Sequence, residues 1–394
     1  MKLVKLLFLP FAFLMVALMR ALARAGILIR IGEFWSSRVG HFAGNTECYL
    51  CEKDESLHPK SFDIWIHYGM VSNRYLSKMF SRVMWIDRTG FFSIVKLVNS
   101  LFPGFEKFIA MPVQADRDIY NLFEKYPPHL YFTQAEEKHG RQELLTLGIP
   151  EGAKWVCLVV RDSAYLQHSP SLKASNAYRD CDIKSYLLAC LSLTERGYYV
   201  VRMGAIVNQH FQIRHTKIID YATSGKRSEF MDIYLGAKCS FCLTTGTGID
   251  AIPYIFRRPM CYADYSQVEY LLTYAQKSLA IFRHHMKDGK RMTLEEIWQS
   301  GIGQAMKTAD FGAAGITLQD NTPEEIRDVA MEMCDRLEGY YWNDIPLHQA
   351  YLGSAGKQEA FWRTFPRSIS PYNGKPIHGE IRMRIGREFL KGYL

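Results

Sequence analysis

Short apolar runs bounded by glycine and polar turns alternate with stretches of helical spacing along almost the whole chain. In the first half, residues 27–32 (ILIRIG) read as a strand, followed by a polar loop over 33–46 and a helix reaching Glu52. Residues 62–67 (FDIWIH) give the next strand pattern, 72–80 a helix with a Ser/Asn cap, and 83–86 a return to strand. A second series starts near Pro150, with strand patterns at 155–160, 198–202, 217–221, 239–243 and 260–264. Helix patterns at 183–196, stopped by Gly197, and at 229–237 fall between them. Beyond a polar stretch over 284–291, Thr322, Pro323 and Glu325 take the N-cap, N1 and N3 places of a helix running to about Leu337.

This alternation predicts an α/β protein whose parallel sheets are covered on both faces, with ligands at the carboxyl ends of the strands. A chain of 394 residues exceeds one ordinary core. The expected division is a segment 1–25, a first domain 26–150, a second 151–375, and a helix 376–394 crossing back to the first, with a cleft between the two sheets.

The most informative interruption is 244–253 (TTGTGIDAIP), where a strand pattern stops in Thr and Gly and turns into a short helix pattern over 249–256. Glycines let the backbone approach a ligand, hydroxyls donate hydrogen bonds, and N–H groups at a helix start carry partial positive charge. That chemistry suits a pyrophosphate, and so a nucleotide sugar. The pattern is neither a Walker A loop nor the dinucleotide Gly-x-Gly-x-x-Gly, and an ordinary turn with an Asp cap is the plain alternative.

Its neighbours strengthen it. Arg161 and Ser163 follow one strand pattern, and Arg202 and Gly204 follow another. Strand ends of one parallel sheet share an edge, so these four residues are expected beside Thr245, Gly246, Thr247 and Gly248, around the donor diphosphate. Asp250 then caps the helix or touches the sugar. Arginine suits this task because it stays charged and presents a planar fork of donors. Residues 178–182 (YRDCD) read as a contact loop or as a helix cap by Asp180 or Asp182, the cap favoured, and 224–228 (SGKRS) as a ligand contact or a solvated turn. No Asp-x-Asp reads as a metal–diphosphate clamp, so arginines and helix N-termini are expected to neutralise the leaving group, with no metal and no cofactor.

In the first half, the loop over 33–46 places His41 after the first strand, where a histidine can act as general base on an acceptor hydroxyl. Glu33, Arg38 and Glu47 are the nearby alternatives, since a carboxylate can do the same work, and Arg38, Gly44 and Asn45 are expected acceptor contacts. A structural histidine in a glycine turn is the plain alternative; His67, at another strand end, is a weaker candidate.

Charge and composition narrow the partners. A net charge of +8 fits an anionic ligand or membrane surface and falls short of the dense basic stripe of a nucleic-acid binder. Residues 6–18 are apolar, interrupted by Pro10 and flanked by Lys2, Lys5, Arg20 and Arg24. The run is shorter than the roughly 20 residues of a spanning helix. A signal peptide ending at Ala21-Leu22-Ala23 and a spanning helix compete with a shallow anchor on the cytoplasmic leaflet, and the anchor is favoured, with Arg20, Arg24 and Arg30 on anionic head groups. Nine scattered cysteines indicate a reducing compartment, and the pairs Cys48/Cys51 and Cys239/Cys242 read as small hydrophobes rather than zinc ligands.

Taken together, 29–33 (IRIGE) with Arg38-x-Gly-His-x-x-Gly-Asn45, Arg161-Asp162-Ser163-Ala164-Tyr165-Leu166, Tyr178-Arg179-x-x-Asp182, Gly197-Tyr-x-Val-x-Arg202-Met-Gly204, Thr245-Gly-Thr-Gly-x-Asp250 and Asn321-Thr-Pro-Glu-Glu-Ile326 resemble a family of bacterial surface-polysaccharide glycosyltransferases. The resemblance covers nearly all of the chain after residue 26. It implies the GT-B architecture: two Rossmann-like domains, a sugar nucleotide on the second, an acceptor on the first, and no essential metal. The turn at 245–250 is also similar in placement to the donor loop of heptosyltransferases, and 41–45 to the glycine-rich loop of fucosyltransferase-like enzymes. The chain departs from the former in lacking a His after the donor glycine loop, and it has no HxRxxD-type motif, so neither sugar carries over.

The resulting expectation is a metal-independent glycosyltransferase. It would move a sugar from a nucleotide-sugar donor to a membrane-associated glycan or lipid-linked acceptor, peripheral to the cytoplasmic face of the inner membrane. A sugar-nucleotide epimerase of the same fold and a non-catalytic polysaccharide-assembly or sugar-binding protein remain alternatives.

Overall fold

The computed structural model describes residues 7–113, 117–167, 169–211, 213–275, 277–340, 352–370 and 374–393. It divides into two compact units, residues 1–117 with 122–131, and 118–121 with 132–394.

The first unit holds four parallel strands, β1 (Ile29–Phe34), β2 (Phe62–His67), β3 (Trp85–Ile86) and β4 (Ile109–Ala110), in the order β3-β2-β1-β4. Gly32 and Trp65 are register partners, and a Cβ on Gly32 would meet the Trp65 ring at 2.6 Å. The missing side chain lets that indole stack on Phe34, 4.8 Å between centroids.

Helix α1 (Leu9–Arg24) covers most of the segment 1–25 and packs one face into the first unit. Pro10 sits in its first turn, where no N–H bond is lost, and Ala12, Val16 and Met19 are buried in the same cluster as Ile31, Val95 and Val98. Arg20 is not left for head groups: its guanidinium donates to Asn99 Oδ1 at 3.0 Å and to the Pro103 carbonyl at 3.1 Å. Arg30 is buried in β1 and bonds Asp63 at 2.9 Å. Burial raises the Asp63 carboxyl, but Arg30, Lys53, Tyr49 and Ser61 together hold it below the usual range. Lys2 and Lys5 lie outside the described residues. Among the described residues no helix is long and apolar enough to cross a membrane.

The expected loop over 33–46 is largely helical. Helix α2 (Val39–Asp54) begins right after Arg38, because Phe42, Tyr49, Ala43 and Cys51 bury at helical spacing and outweigh the two glycines near its start. Helix α3 (Arg74–Phe80) has the expected cap, the Asn73 side chain accepting from Leu76 N at 2.7 Å, and α4 (Phe91–Asn99) packs with α1.

The second unit is built on a seven-stranded parallel sheet in the order β14-β10-β9-β8-β5-β6-β7. These strands are β5 (Trp155–Val159), β6 (Tyr199–Arg202), β7 (Ile218–Ile219), β8 (Phe241–Thr244), β9 (Met260–Tyr265), β10 (Ser278–Phe282) and β14 (Arg384–Ile385). The polar stretch 284–291 is an antiparallel hairpin, β11 (His284–Lys287) with β12 (Lys290–Arg291), extended by β13 (Ile316–Gln319). Its turn is Asp288-Gly289, both at positive φ (51° and 75°), a hairpin signal present in the sequence.

Helices α5 (Gln134–Thr146), α6 (Leu187–Glu195), α7 (Glu229–Lys238), α8 (Ala251–Ile255) and α9 (Pro323–Asp335) accompany this sheet. Helix α9 has the expected capping box, with Glu325 N donating to Thr322 Oγ1 at 3.2 Å and Thr322 N to the Glu325 carboxylate at 2.9 Å. Two boundaries differ from expectation. Helix α5, placed in the first domain by the alternation, belongs to the second unit, where Gly140 lies under the Tyr234 ring of α7. The tail expected to cross back instead supplies β14, whose Arg384 and Ile385 pair with Leu279 and Ala280.

A candidate anion-binding site on the second unit

In the second sheet Leu158 pairs with Arg202, and Val159 with Thr244, so β6, β5 and β8 end level with one another. The three loops singled out in the sequence therefore leave one edge. The turn after β8 is held from within. Thr244 Oγ1 donates to Asp250 Oδ2 at 2.9 Å and accepts from Gly246 N at 3.1 Å, while Thr247 N donates to the same carboxylate oxygen at 2.7 Å. Asp250 is thus the lock of the turn, neither a side-chain cap for α8 nor a free sugar contact. Gly246 has φ +79° and a Cβ there would lie 2.8 Å from the Tyr265 ring, so glycine is required on both counts.

The turn is tied sideways to β5 by the Arg161 N–H, which donates to Thr245 Oγ1 at 3.0 Å. Of the turn's remaining donors, the Thr247 hydroxyl is buried without a hydrogen-bond partner. Helix α8 spans five residues, so its dipole adds little and the expected helix-terminus effect gives way to this individual donor.

Two arginines meet this turn, and one of them differs from expectation. Arg179 donates from its guanidinium to the Gly246 carbonyl. Arg161 lies beside it: burial, and then the neighbouring Arg179 charge, push the Arg161 guanidinium below its ordinary range. The nearby carboxylate, Asp180, is 3.5 Å from Arg161 Nε, and neither that Nε nor Asp180 Oδ1 makes a hydrogen bond. Burial raises the Asp180 carboxyl despite Arg161. The two guanidinium groups thus stand side by side, with Asp180 the loosely placed counter-charge and Arg179 the one that reaches the turn.

The loop 178–182 supplies the favoured cap and a link to the neighbouring turn. Asp182 caps the following helical turn, its side chain accepting from Lys184 N at 3.0 Å, while Arg179 reaches the anion turn. Arg283, at the end of β10, keeps the loop in place by donating to the carbonyls of Tyr178 (2.6 Å) and Asp180. No local pattern in the sequence connects Arg283 with residues a hundred positions earlier.

Arg202 turns elsewhere. It is almost fully buried and donates from Nη1 to the Gln209 carbonyl at 2.6 Å and to Asp220 at 3.2 Å. It is therefore engaged by the protein rather than open to a phosphate. With Asp162, Asp180, Asp182, Asn208 and Gln209 it lines a cavity of about 330 Å³ next to the arginine pair. Asp162 and Ser163 knit this wall, accepting from Asn208 N at 2.8 Å and Asn208 Nδ2 at 3.2 Å, and Gly204 (φ +156°) starts the loop that carries Asn208. Residues 224–228 serve the fold: Ser228 caps α7 and Arg227 pairs with Asp232 at 2.6 Å.

In the first unit, Arg38, His41 and Asn45 share a helix face, being the N-cap of α2 and positions one and two turns on. His41 packs edge-on against Trp35, 5.1 Å between centroids. Asn45 is buried and its Oδ1 has no hydrogen-bond partner. Gly44 lies buried within the helix. Glu33 forms an ion pair with Lys96, and His67 is enclosed by Phe34 and Phe42, bonded to Ser77 at 2.9 Å, with burial lowering its pKa. Deeper along α2, ligand atoms of Glu47, Cys51 and His129 lie within 4.8 Å of one another. His129 bridges Glu47 (3.1 Å) and Asp54 (2.9 Å) there, and all nine cysteines are free.

No family model and no curated protein matches this chain. Among solved structures, similar folds include the ADP-heptose lps heptosyltransferase II of E. coli, at 14% identity over 78% of this chain and 98% of that one, with a TM-score of 0.42. A glycosyl transferase of family 9 from Veillonella parvula gives 11% identity over 64% and 85%, TM-score 0.42. The E. coli iron-containing heptosyltransferase TibC, in complex with ADP-D-beta-D-heptose, gives 11% over 78% and 77%, TM-score 0.38. These neighbours are glycosyltransferases. At such values the functional reading rests on this chain's own residues.

Proposed function

We propose that the chain is a glycosyltransferase that binds the diphosphate of a nucleotide-sugar donor at the turn 245–248. The observation that carries this reading is a preformed turn whose Thr247 hydroxyl is buried without a partner and whose Gly246 carbonyl holds the Arg179 guanidinium, with the Arg161 guanidinium close enough to Arg179 for its own charge to be disfavoured. A buried hydroxyl and paired guanidinium groups each leave free energy to be gained from an anion. When the sugar leaves, the negative charge developing on the diphosphate is stabilised by these two cations, in the role a divalent ion plays elsewhere. The neighbouring 330 Å³ cavity, lined by Asp162, Asn208 and Gln209, offers hydrogen-bonding groups to the nucleoside or the sugar.

The first unit supplies the acceptor side in this reading. His41 takes the proton from the attacking hydroxyl, with Arg38 and Asn45 on the same helix face positioning the acceptor. Glu33 is the weaker base because Lys96 already holds its carboxylate. The acceptor is a membrane-associated glycan or lipid-linked sugar of surface polysaccharide synthesis, reached from the cytoplasmic face of the membrane. What favours that site is an N-terminal helix with an exposed apolar face opposite its buried one, and a first stretch of chain with no acidic residue before Glu33.

Calorimetric titration with a panel of nucleoside diphosphates and nucleotide sugars tests the donor site. Wild-type protein binds one of them, and Arg179→Ala weakens that binding by about 10- to 100-fold, the range of lost charge-assisted hydrogen bonds. Unchanged affinity in Arg179→Ala removes this turn as the donor site.

A further inference from the structure

Helix α1 is apolar on two opposite faces, and the core accounts for one of them. Ala12, Val16 and Met19 face inward. On the other side Leu7, Phe11, Leu14 and Leu18 follow one another at helical spacing and are 72%, 63%, 69% and 48% exposed. A helix hydrophobic all round belongs in a core or against an apolar medium, and monomeric soluble proteins seldom expose a patch of this kind.

The patch continues beyond the helix. Phe8 meets Phe91 edge-on at 6.1 Å, Phe91 meets Phe92 at 5.4 Å, Phe92 meets Trp85 at 5.5 Å, and Trp85 meets Phe62 at 6.4 Å. Trp85 and Phe62 are each about half exposed. On the other flank Phe13 contacts Phe102, and Leu97 and Leu101 lie open beside it. Leucines with a row of Trp and Phe at their border are the composition that settles at a membrane–water interface.

We propose that this surface of the first unit inserts into one leaflet of an anionic bilayer, with α1 lying in the plane of the interface. The inference rests on the membrane-facing part of the function proposed above and names the surface that does it. The inward face of α1 is part of the core, so the helix cannot turn upright to span, and it lies flat as an integral piece of the unit. Charge selects lipid over a second copy of the chain. The first acidic residue is Glu33, whereas Lys2, Lys5 and Arg24 precede it besides the internally bonded Arg20, and Arg24 and Arg88 are exposed. An isologous dimer through α1 would bring this acid-free, basic segment against itself, while anionic head groups complement it.

Flotation of the full chain with phosphatidylcholine vesicles, with and without about a third phosphatidylglycerol, decides the matter. The wild type is expected to float with the anionic vesicles, to release as salt rises, and to bind neutral ones far less. Leu14→Glu with Leu18→Glu should reduce flotation by roughly tenfold or more while thermal unfolding and nucleotide affinity stay unchanged, since both side chains point away from the core. Trp85→Phe should remove the component of tryptophan fluorescence quenched by brominated lipid. Flotation unaffected by the double substitution overturns the proposal. So does a wild type that ignores vesicles yet sediments as a dimer that the same substitutions dissociate. Nucleotide affinity, read separately, fails or holds with the donor site alone.

Discussion

Asp264 and Asn321 exchange backbone-to-side-chain hydrogen bonds in both directions: Asp264 N donates to Asn321 Oδ1 at 2.7 Å, and Asn321 N donates to Asp264 Oδ1 at 2.6 Å. Asp264 stands in the left-handed region (φ +52°) within β9, and Asn321 also donates from Nδ2 to the Phe282 carbonyl at 3.0 Å. One asparagine thus fastens the ends of β9 and β10 to the start of α9. Replacing it by Ala leaves the Asp264 N–H and the Phe282 carbonyl without these partners while the backbone bond to the Asp264 carboxylate survives, so Asn321→Ala should destabilise the second unit by about 2–4 kcal/mol. Denaturant unfolding measures this, and a loss below about 0.5 kcal/mol would show that the exchange is dispensable.

Arg161 and Arg202 leave neighbouring strands and should behave in opposite ways. Arg161→Ala removes one of two repelling cations at the anion turn. Donor affinity should fall by about tenfold or more with little loss of stability, because a like-charge neighbour goes with it. Arg202→Ala removes the cation beside Asp220, which keeps its bonds from Phe211 N and Thr223, and takes the donor from the Gln209 carbonyl, so it should cost about 2–4 kcal/mol of stability. Calorimetry and thermal unfolding of the two variants separate them, and the reverse pattern would exchange their roles.

Gly246→Ala tests the turn itself. The left-handed backbone and the approach to Tyr265 together predict a destabilisation of about 1–3 kcal/mol and a donor affinity reduced through displacement of the loop. Tyr265→Ala in the same chain relieves the clash and should restore part of the affinity; a Gly246→Ala variant indistinguishable from wild type contradicts the geometry.

His41→Ala should lower turnover by about a hundredfold or more while leaving nucleotide affinity alone, as the loss of a general base does. Glu33→Gln, which releases Lys96, should change turnover by much less. Comparable losses in both would make the carboxylate the base.

Two buried groups in the second unit titrate in opposition. Burial lowers His285 to about 4, so its contribution to stability is complete above the ordinary 6.5 and is lost as pH falls from there toward 4. Burial raises Asp264 to about 6 from 3.8, so it favours the folded state below 3.8 and opposes it progressively as pH climbs toward 6. Each change amounts to about 3 kcal/mol at 1.36 kcal/mol per pKa unit, with opposite sign. Wild-type stability should therefore stay flat between pH 4 and 6, while His285→Gln should lose stability with rising pH across that window. Identical pH profiles for the two proteins would exclude the compensation.

The strands were legible because a parallel sheet buries continuous apolar runs, and 62–67 and 260–264 announce themselves that way. Capping was equally plain at Thr322, where side-chain chemistry and position are local. Two kinds of feature were not. Helix α2 hides behind two glycines because tertiary burial of Phe42 and Tyr49 overrides propensity, and the placement of α5 depends on Gly140 meeting a ring almost a hundred residues away. The same distinction applies to the site. The turn 244–250 could be read directly, whereas the choice between Arg179 and Arg202 depends on Asp220 and Arg283, which lie elsewhere in the chain.

The internal locking of the turn by Asp250 bears on how a ligand arrives. Because Thr244, Gly246 and Thr247 are already fixed by that carboxylate and by one another, little backbone freedom remains to be lost on binding. The anion meets a cradle whose shape precedes it, so recognition should be limited by encounter with the arginine pair rather than by loop rearrangement, and association should slow as ionic strength rises. Asp250→Ala would leave every phosphate-facing donor in the chain and still slow capture, by turning a rigid receptor into one that must first find its form.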